Sequence, residues 1–193
     1  TVSGTAKRLP SPFFVLATQN PIEMEGTYPL PEAQLDRFLF KLKVTYPALE
    51  ELNEIIERTT HAREPEVVRV MDGPTVLSFK ELVREVPIAS HVRDLASLIV
   101  LATHPQWEHA PEVTRRVVRY GSSPRGAQAL VLGAKVLALA EGRYNVSVED
   151  LQSLAAPALR HRIILNFEGE AEGVDVDRLI GQVIETALDE SRR

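Results

Sequence analysis

The chain has 193 residues, a formal net charge of -5 at pH 7 and 44% apolar residues, all within the usual range of globular proteins. The acidic balance argues against a general nucleic-acid-binding protein, and the absence of cysteine excludes disulfides, thiolate metal ligands and cysteine nucleophiles. No apolar run approaches the roughly 20 residues of a membrane-spanning helix, and no signal peptide is recognisable, so we expect a cytoplasmic protein.

The first predicted elements are a turn and a buried strand. A Ser-Gly pair at positions 3 and 4 predicts a hairpin turn within residues 1–12. Five consecutive apolar residues, Phe13–Ala17, predict a short strand that is buried on both faces of a parallel sheet. Polar residues 18–20 follow, and Pro21 prevents the strand from continuing. Because ligands bind beyond the carboxyl ends of strands in open α/β sheets, Asn20 is a candidate binding residue.

The pattern then changes from mixed to helical. Pro31 suits the first turn of a helix that continues to Arg37, and residues 38–44 alternate apolar with basic side chains, which predicts a strand with one buried face. From Pro47 the periodicity is helical, beginning with an apolar stripe from Leu49 to Ile56. Further helices are predicted at residues 79–86 (with Ser78 as N-cap), 88–103, 124–140, 148–159 and 176–188. Residues 167–174, rich in Glu and Gly, predict an exposed loop.

Two stretches resemble motifs of one ATPase family. The apolar run with ATQNP after it resembles the sensor 1 strand of AAA+ ATPases, and EGTYPLPEAQLDRF at residues 25–38 resembles the MoxR branch in particular. The stretch GSSPRGAQAL at residues 121–130 resembles the sensor 2 motif of that family. The resemblance implies that residues 1–46 are the C-terminal part of an α/β P-loop core and residues 47–193 an all-α lid, which makes the chain mainly helical.

Two motifs that ATP hydrolysis requires do not occur in this sequence. There is no GxxxxGK[ST] phosphate-binding loop (Walker A) and no apolar run ending in Asp-Glu to hold magnesium (Walker B). We therefore expect the chain to be the C-terminal part of an ATPase and to be inactive alone. The resemblance implies ATP and Mg²⁺ as cofactors, with the metal ligands in the N-terminal part.

Asn20 has two interpretations. An Asn-Pro pair after a strand is a common way for a chain to leave a sheet, and this requires no function. The resemblance instead implies a catalytic residue, because the Asn amide both donates and accepts hydrogen bonds and can orient the water that attacks the terminal phosphate.

Arg37 also has two interpretations. Asp36 and Arg37 on a helix are ordinarily a solvated pair that contributes less than about 1 kcal/mol. The resemblance implies that Arg37, in the sequence LDRF, is an arginine finger that contacts the nucleotide of a neighbouring subunit. A guanidinium suits this catalytic role because it is planar and always charged. A finger acting in trans requires a ring, so the resemblance implies a hexamer-like assembly.

Arg125 lies in the first turn of a predicted helix, with Ser123 as the cap and Pro124 at the first helical position. A cation there is disfavoured by the helix dipole by some tenths of a kcal/mol, and a bound anion would remove the conflict. The resemblance implies that Arg125 binds the phosphates of the nucleotide. The alternative is a surface arginine without a ligand.

The other candidates are weaker. Arg115, Arg116 and Arg119 form a basic cluster that we interpret as a solvated helix face. Residues 160–162 (Arg-His-Arg) follow a predicted helix, where the helix dipole favours cations. The histidines have no partners at recognised zinc spacing, so no metal site is predicted. Glu23 and Glu25 fit a solvated loop as well as a subunit interface.

Two functions from different classes follow. The first is a MoxR-like ATPase ring that remodels or matures a partner protein. The resemblance implies a protein client or a partner with a von Willebrand factor A domain, and nucleic acid is not expected. The alternative is a non-catalytic helical module for protein interaction. For either, we expect the strand at Phe13–Ala17 to self-associate or to be poorly ordered in isolation, whereas the lid from Pro47 folds alone.

Overall fold

The computed structural model describes Gly4 and residues 6–19, 30–61 and 66–193. Asn20 and most of the connection after it therefore lie outside the described residues, as do Glu23 and Glu25. The chain contacts define two compact units: Thr1–Val15 with Leu42–Lys80, and Leu16–Lys41 with Glu81–Arg193. The described elements in chain order are α1 Glu32–Leu35, α2 Leu49–Thr60, α3 Gly73–Glu85, α4 Ser90–Ala102, α5 Glu112–Val117, β1 Val118–Tyr120, α6 Pro124–Ala140, α7 Val148–Leu159, β2 Ile164–Leu165, α8 Phe167–Ala171 and α9 Val176–Ser191.

The described part of the chain is mainly helical, as the sequence predicts. Helices α6 and α7 have the predicted bounds, while α4 and α9 differ from prediction by no more than three residues at either end. The proposed domain boundary between residues 46 and 47 stays a prediction. No helix within the described ranges is long and apolar enough to cross a membrane.

The two predicted strands before residue 47 are not formed. Residues 6–19 and 36–47 contain no strand, and the side chains of Phe13, Phe14 and Leu16 are 62%, 76% and 86% exposed. A strand is stable when its backbone N–H and C=O groups pair with a neighbouring strand, and the described residues offer neither segment such a neighbour. The apolar run at Phe13–Ala17 therefore lies in no helix or strand and is exposed.

The first unit has no buried residue among those described. Helix α2 carries the predicted apolar stripe, but Leu49, Ile55 and Ile56 are 69%, 47% and 51% exposed. Helix α3 begins at Gly73, earlier than predicted, because Asp72 and not Ser78 caps it: the Thr75 N–H donates to Asp72 Oδ1 at 2.9 Å. Little apolar surface is thus removed from water in this unit.

The second unit has a continuous helical core. Helix α4 packs against α6 and α9, and α7 packs against α6 and α9. The largest side chains in this core are fully buried, and each contributes about 1.5–3 kcal/mol through the hydrophobic effect. They are Leu95, Ile99, Leu130, Leu151, Leu159, Leu179 and Ile180.

A short antiparallel pair joins two loops at one end of this core. Strand β1 pairs with β2, with Val118 opposite Leu165 and Tyr120 opposite Ile164. Because the strands are antiparallel, the chain that leaves β1 at Gly121 runs beside the chain that enters β2 from Arg162 and Ile163. The sensor 2-like motif and the Arg-His-Arg stretch therefore meet at the same end of the unit.

The predicted loop at residues 167–174 contains helix α8. Asn166 caps it, since its side-chain oxygen accepts a hydrogen bond from the Gly169 N–H at 2.9 Å. Gly169 is buried, and a Cβ on it would lie 2.8 Å from the Val117 carbonyl oxygen. The Gly and Glu content that predicted a loop therefore reflects close packing at one residue and exposed acidic side chains around it.

Candidate functional site

The candidate site is built at the N-terminus of α6, where the structure confirms the predicted helix start. Ser123 is the N-cap, its hydroxyl oxygen accepts a hydrogen bond from the Arg125 N–H at 3.2 Å, and Pro124 is the first helical residue. The helix is 17 residues long, so its first N–H groups carry the full positive end of a helix dipole. This end of α6 favours an anion.

Close backbone contacts fix the loop before α6. A Cβ on Gly121 would lie 2.6 Å from the Thr103 carbonyl oxygen, and a Cβ on Gly126 would lie 2.1 Å from Ser122 Oγ. The Ser122 N–H also donates to Thr103 Oγ1 at 2.9 Å. Both glycines in GSSPRG are therefore required by packing, and the loop holds the first turn of α6 in place.

Three side chains converge on the carboxylate of Asp36. Arg125 Nη1 donates to Oδ2 at 2.7 Å, while Ser123 Oγ and Arg162 Nε donate to Oδ1 at 2.7 and 3.1 Å. The Asp36 side chain is 17% exposed, and that of Arg125 is 54% exposed. An anion thus does lie at the start of α6, and in this structure it comes from the chain itself.

The carboxylate is held in its charged form. Partial burial alone would raise the pKa of Asp36, but hydrogen bonds from Ser123 and Arg125 and the positive charges of Arg162 and Arg125 outweigh it. The resulting pKa lies below the usual value for aspartate. Asp36 is therefore an anion throughout the neutral range, and it offsets the charge of the arginine in the first turn of α6.

Arg162 is the most buried charged residue of the site, with 2% of its side chain exposed. Besides Asp36, its guanidinium donates to the carbonyl oxygens of Asp36, Phe38 and Leu39 at 3.1, 2.6 and 3.2 Å, and to that of Ala158. Burial lowers the pKa of Arg162 despite the attraction of Asp36, yet a guanidinium remains charged at neutral pH. One side chain thus binds four backbone carbonyls, three of them in the segment that carries Arg37.

The sequence neighbours of Arg162 also bind this segment, through hydrogen bonds that reach residue 41. His161 Nε2 donates to the Phe38 carbonyl oxygen at 3.0 Å, and Arg160 Nη1 donates to the Lys41 carbonyl oxygen at 2.9 Å. The Lys41 N–H in turn donates to the Pro157 carbonyl oxygen at 2.9 Å. These bonds replace the strand pairing that the sequence predicted for residues 38–44.

The position after a helix, where the dipole favours cations, therefore accounts for only part of the surroundings of Arg162. The Arg162–Ala158 bond does cap a helix carbonyl, but the side chain is buried and its other partners are remote in sequence. A signal was present in the flanking residues: Leu159 precedes the stretch and Ile163 and Ile164 follow it, which indicates a buried surrounding.

Arg37 contrasts with Asp36. Its side chain is exposed, and within the described residues its guanidinium has no hydrogen-bond or ion-pair partner. The structure thus brings the segments of Arg125 and Arg37 together through Asp36. Asn20 lies outside the described residues, so its role stays a prediction.

The predicted basic cluster lies on an exposed face. Arg116 Nη1 bonds Glu168 and Glu172 at 2.6 and 2.7 Å, and the guanidinium of Arg119 lies 5.1 Å from the ring centre of Tyr120. Arg115 Nη2 donates to the Glu108 carbonyl oxygen at 2.6 Å. Within the described ranges, no three His, Asp or Glu side chains are grouped as metal ligands would be. The proposed location of the Mg²⁺ ligands stays a prediction.

Two family models match the sequence. The model described as "ATPase family associated with various cellular activities (AAA)" matches residues 1–40, and the model of the AAA lid domain matches residues 111–183. The second match contains β1, α6, α7 and the residues that bind Asp36. The first contains Asp36 and Arg37.

Curated relatives and a solved structure match nearly the whole chain. Chaperone MoxR1 of Mycobacterium tuberculosis is 36% identical over 186 residues, which cover 96% of this chain and 49% of that protein. Protein MoxR of Paracoccus denitrificans is 30% identical over 163 residues, which cover 79% of this chain and 48% of that protein. A crystal structure from Cytophaga hutchinsonii, described as a candidate ATPase, has a TM-score of 0.89 at 37% identity and covers 96% of this chain and 57% of that one. The chain spans about half the length of these curated relatives.

Proposed function

Because the chain belongs to the MoxR family of AAA+ ATPases, we propose that the intact protein hydrolyses ATP at the subunit interfaces of a ring and uses the energy to remodel or mature a partner protein. The relative named Chaperone MoxR1 supports a chaperone-like role. A partner with a von Willebrand factor A domain is part of this proposal, which rests on family membership.

The observation that carries the proposal is the state of Arg125. It lies in the first turn of a long, capped helix, and its side chain is 54% exposed. Only Nη1 is engaged by Asp36, and the other guanidinium N–H groups have no partner within the described part of the chain. These donors, together with the helix N-terminus, fit the phosphates of ATP, as expected for a sensor 2 arginine.

Arg37 would supply the second cation. Its exposure and its lack of a partner among the described residues leave the guanidinium accessible to a neighbouring subunit. There it would stabilise the negative charge that develops on the terminal phosphate, an effect that contributes roughly 10³- to 10⁵-fold in rate. Arg125 acts on the nucleotide of its own subunit and Arg37 on that of the next.

The remaining parts of the proposal concern residues outside the described ranges. Asn20 would orient the attacking water, and Mg²⁺ bound with ATP would neutralise phosphate charge.

The second unit holds Arg125 on a rigid helical core, so a change in nucleotide state would be transmitted as a movement of that whole body.

The test uses the full-length gene product and three variants. Arg37→Ala should bind ATP with little change in affinity and lose at least about 100-fold in hydrolysis, because the finger acts on the transition state. Arg125→Ala should lower both the rate of hydrolysis and the affinity for ATP. Arg115→Ala removes an exposed arginine of the same unit and serves as the matched control, for which binding and hydrolysis should match wild type.

Each outcome distinguishes the two functions. Hydrolysis that depends on Arg37 and Arg125 but not on Arg115 supports the ATPase. If the full-length product neither binds nor hydrolyses ATP, the proposal fails and the non-catalytic interaction module replaces it.

A further inference from the structure

Asp36 connects the two arginines that the proposed function uses. Its carboxylate accepts a hydrogen bond from Arg125, and its peptide bond leads directly to Arg37. Arg125 is thereby oriented by a fixed anion, while its remaining N–H groups stay available for a ligand. The Arg37 side chain is exposed and makes no hydrogen bond or ion pair with the described residues, so its position depends on the backbone that carries it.

That backbone is held mainly by Arg162. The Arg162 guanidinium binds the Asp36 side chain and the carbonyl oxygens on both sides of Arg37, at Asp36 and Phe38. With 2% of its side chain exposed, Arg162 has no surface for a nucleotide or a partner protein. Burying a charge costs free energy unless the charge is paired and hydrogen-bonded, and the partners of Arg162 are the Asp36 carboxylate and carbonyl oxygens of this segment.

We propose, on the basis of the function proposed above, that Asp36 and Arg162 are positioning residues that fix Arg37 relative to Arg125. The two arginines then move as one unit, although one serves the nucleotide of its own subunit and the other that of its neighbour. Phosphate binding at Arg125 would in this way set the position of Arg37 in the adjacent site.

The expected size of the effect follows from positioning. Displacing a catalytic group by about 1 Å lowers a rate by up to about 100-fold. Asp36→Asn keeps the volume of the side chain but removes the charge that binds Arg125 and Arg162, so kcat should fall by about 10- to 100-fold. Arg162→Lys keeps the charge but loses the planar, multidentate geometry, and the fall should be in the same range.

A double-mutant cycle separates positioning from simple stability. If Asp36 acts through Arg37, Asp36→Asn should reduce kcat by less than about 3-fold in an Arg37→Ala background, because the finger is already absent. Asp150→Asn is the matched control. Asp150 is a buried carboxylate, with 6% of its side chain exposed, and it accepts hydrogen bonds from Arg143 at 2.6 Å and from a helix-cap N–H in the same unit. It lies away from Arg37 in the sequence and, among the described residues, has no bond to the segment of Arg37.

A second measurement tests, without nucleotide, whether Asp36 and Arg162 hold the backbone of the segment that carries Arg37. In hydrogen exchange on the 193-residue chain, Asp36→Asn and Arg162→Lys should accelerate exchange at the Lys41 amide, which bonds the Pro157 carbonyl oxygen, by at least 10-fold. Amides in the cores of α4 and α9 should be unchanged. Arg37→Ala should leave the Lys41 amide protected.

Three results would overturn the inference. The first is an equal loss of kcat from Asp36→Asn in the wild-type and Arg37→Ala backgrounds. The second is an equal loss of kcat in Asp150→Asn, and the third is an unchanged Lys41 amide. The proposed function fails separately, when the wild-type full-length protein shows no ATP hydrolysis; the first two results require that wild type to be active.

Discussion

Asp36 and Arg37 are consecutive residues with opposite surroundings. Asp36 accepts hydrogen bonds from Ser123, Arg125 and Arg162, whereas the Arg37 side chain is exposed and has no partner among the described residues. One residue attaches the segment to the helical core, and the side chain of the next is exposed to solvent. The following predictions test the parts of this arrangement.

The first prediction concerns the buried arginine. Arg162→Met should lower the free energy of unfolding of the second unit by an amount at the lower end of about 3–5 kcal/mol. The loss is at the lower end because the Asp36 carboxylate loses a buried partner but keeps a solvated edge. Urea denaturation measures the change. Arg116→Met removes an exposed ion pair in the same unit and should have little effect. Equal losses in the two variants would show that burial does not distinguish these arginines.

The second prediction concerns pH. Burial lowers the pKa of His161 below its usual value of 6.5, and the neutral ring donates from Nε2 to Phe38 while Nδ1 has no partner among the described residues. The unfolded chain therefore binds the proton more readily, so the unfolding free energy is highest above pH 6.5 and falls as pH decreases below it. Urea titrations at pH 7.5 and 5.0 measure this, and both pH values lie above the lowered pKa of Asp36.

The control for this prediction is His161→Gln, whose amide can donate to Phe38 without titrating. Its unfolding free energy should vary less between pH 7.5 and 5.0 than that of wild type. The same slope in the variant would assign the pH dependence to other groups.

The third prediction compares two glycines in helices of the second unit. Gly126→Ala should destabilise by about 1–3 kcal/mol, since its Cβ would lie 2.1 Å from Ser122 Oγ and 2.8 Å from Leu159. Gly181→Ala, in α9, meets nothing within 4 Å and should stabilise by up to about 1 kcal/mol through helix propensity. Thermal unfolding of both variants gives the sign directly. A neutral Gly126→Ala would contradict the tight packing of the loop before α6.

The fourth prediction concerns the first unit. Trypsin should cleave after Lys43 and Arg58 well before it cleaves within α4 to α9, because no described residue of the first unit is buried. Mass spectrometry of early fragments should show an intact second unit. Cleavage at equal rates in both units would refute this difference in local stability.

Local chemistry explains which features the sequence could predict. The start of α6 follows from Ser123 and Pro124, which cap and open a helix without help from distant residues. The predicted strand at Phe13–Ala17 depends on a pairing partner, and its apolar pattern alone carries no information about one. The same limit applies to Arg162, whose partners other than Ala158 lie more than 120 residues away in sequence.

The two-residue strand β2 also limits insertions and deletions in the connection that precedes it. Strand pairing sets the position of residue 164, and the turn before it is closed by hydrogen bonds from the Arg162 and Ile163 N–H groups to the Leu159 carbonyl oxygen. A single inserted residue would break this turn. Arg162 would then turn away from Asp36. The connection from Leu159 to Ile164 is therefore expected to tolerate neither insertion nor deletion, whereas the exposed turn at Gly142, which has nothing within 4 Å of its Cβ position, can lengthen freely.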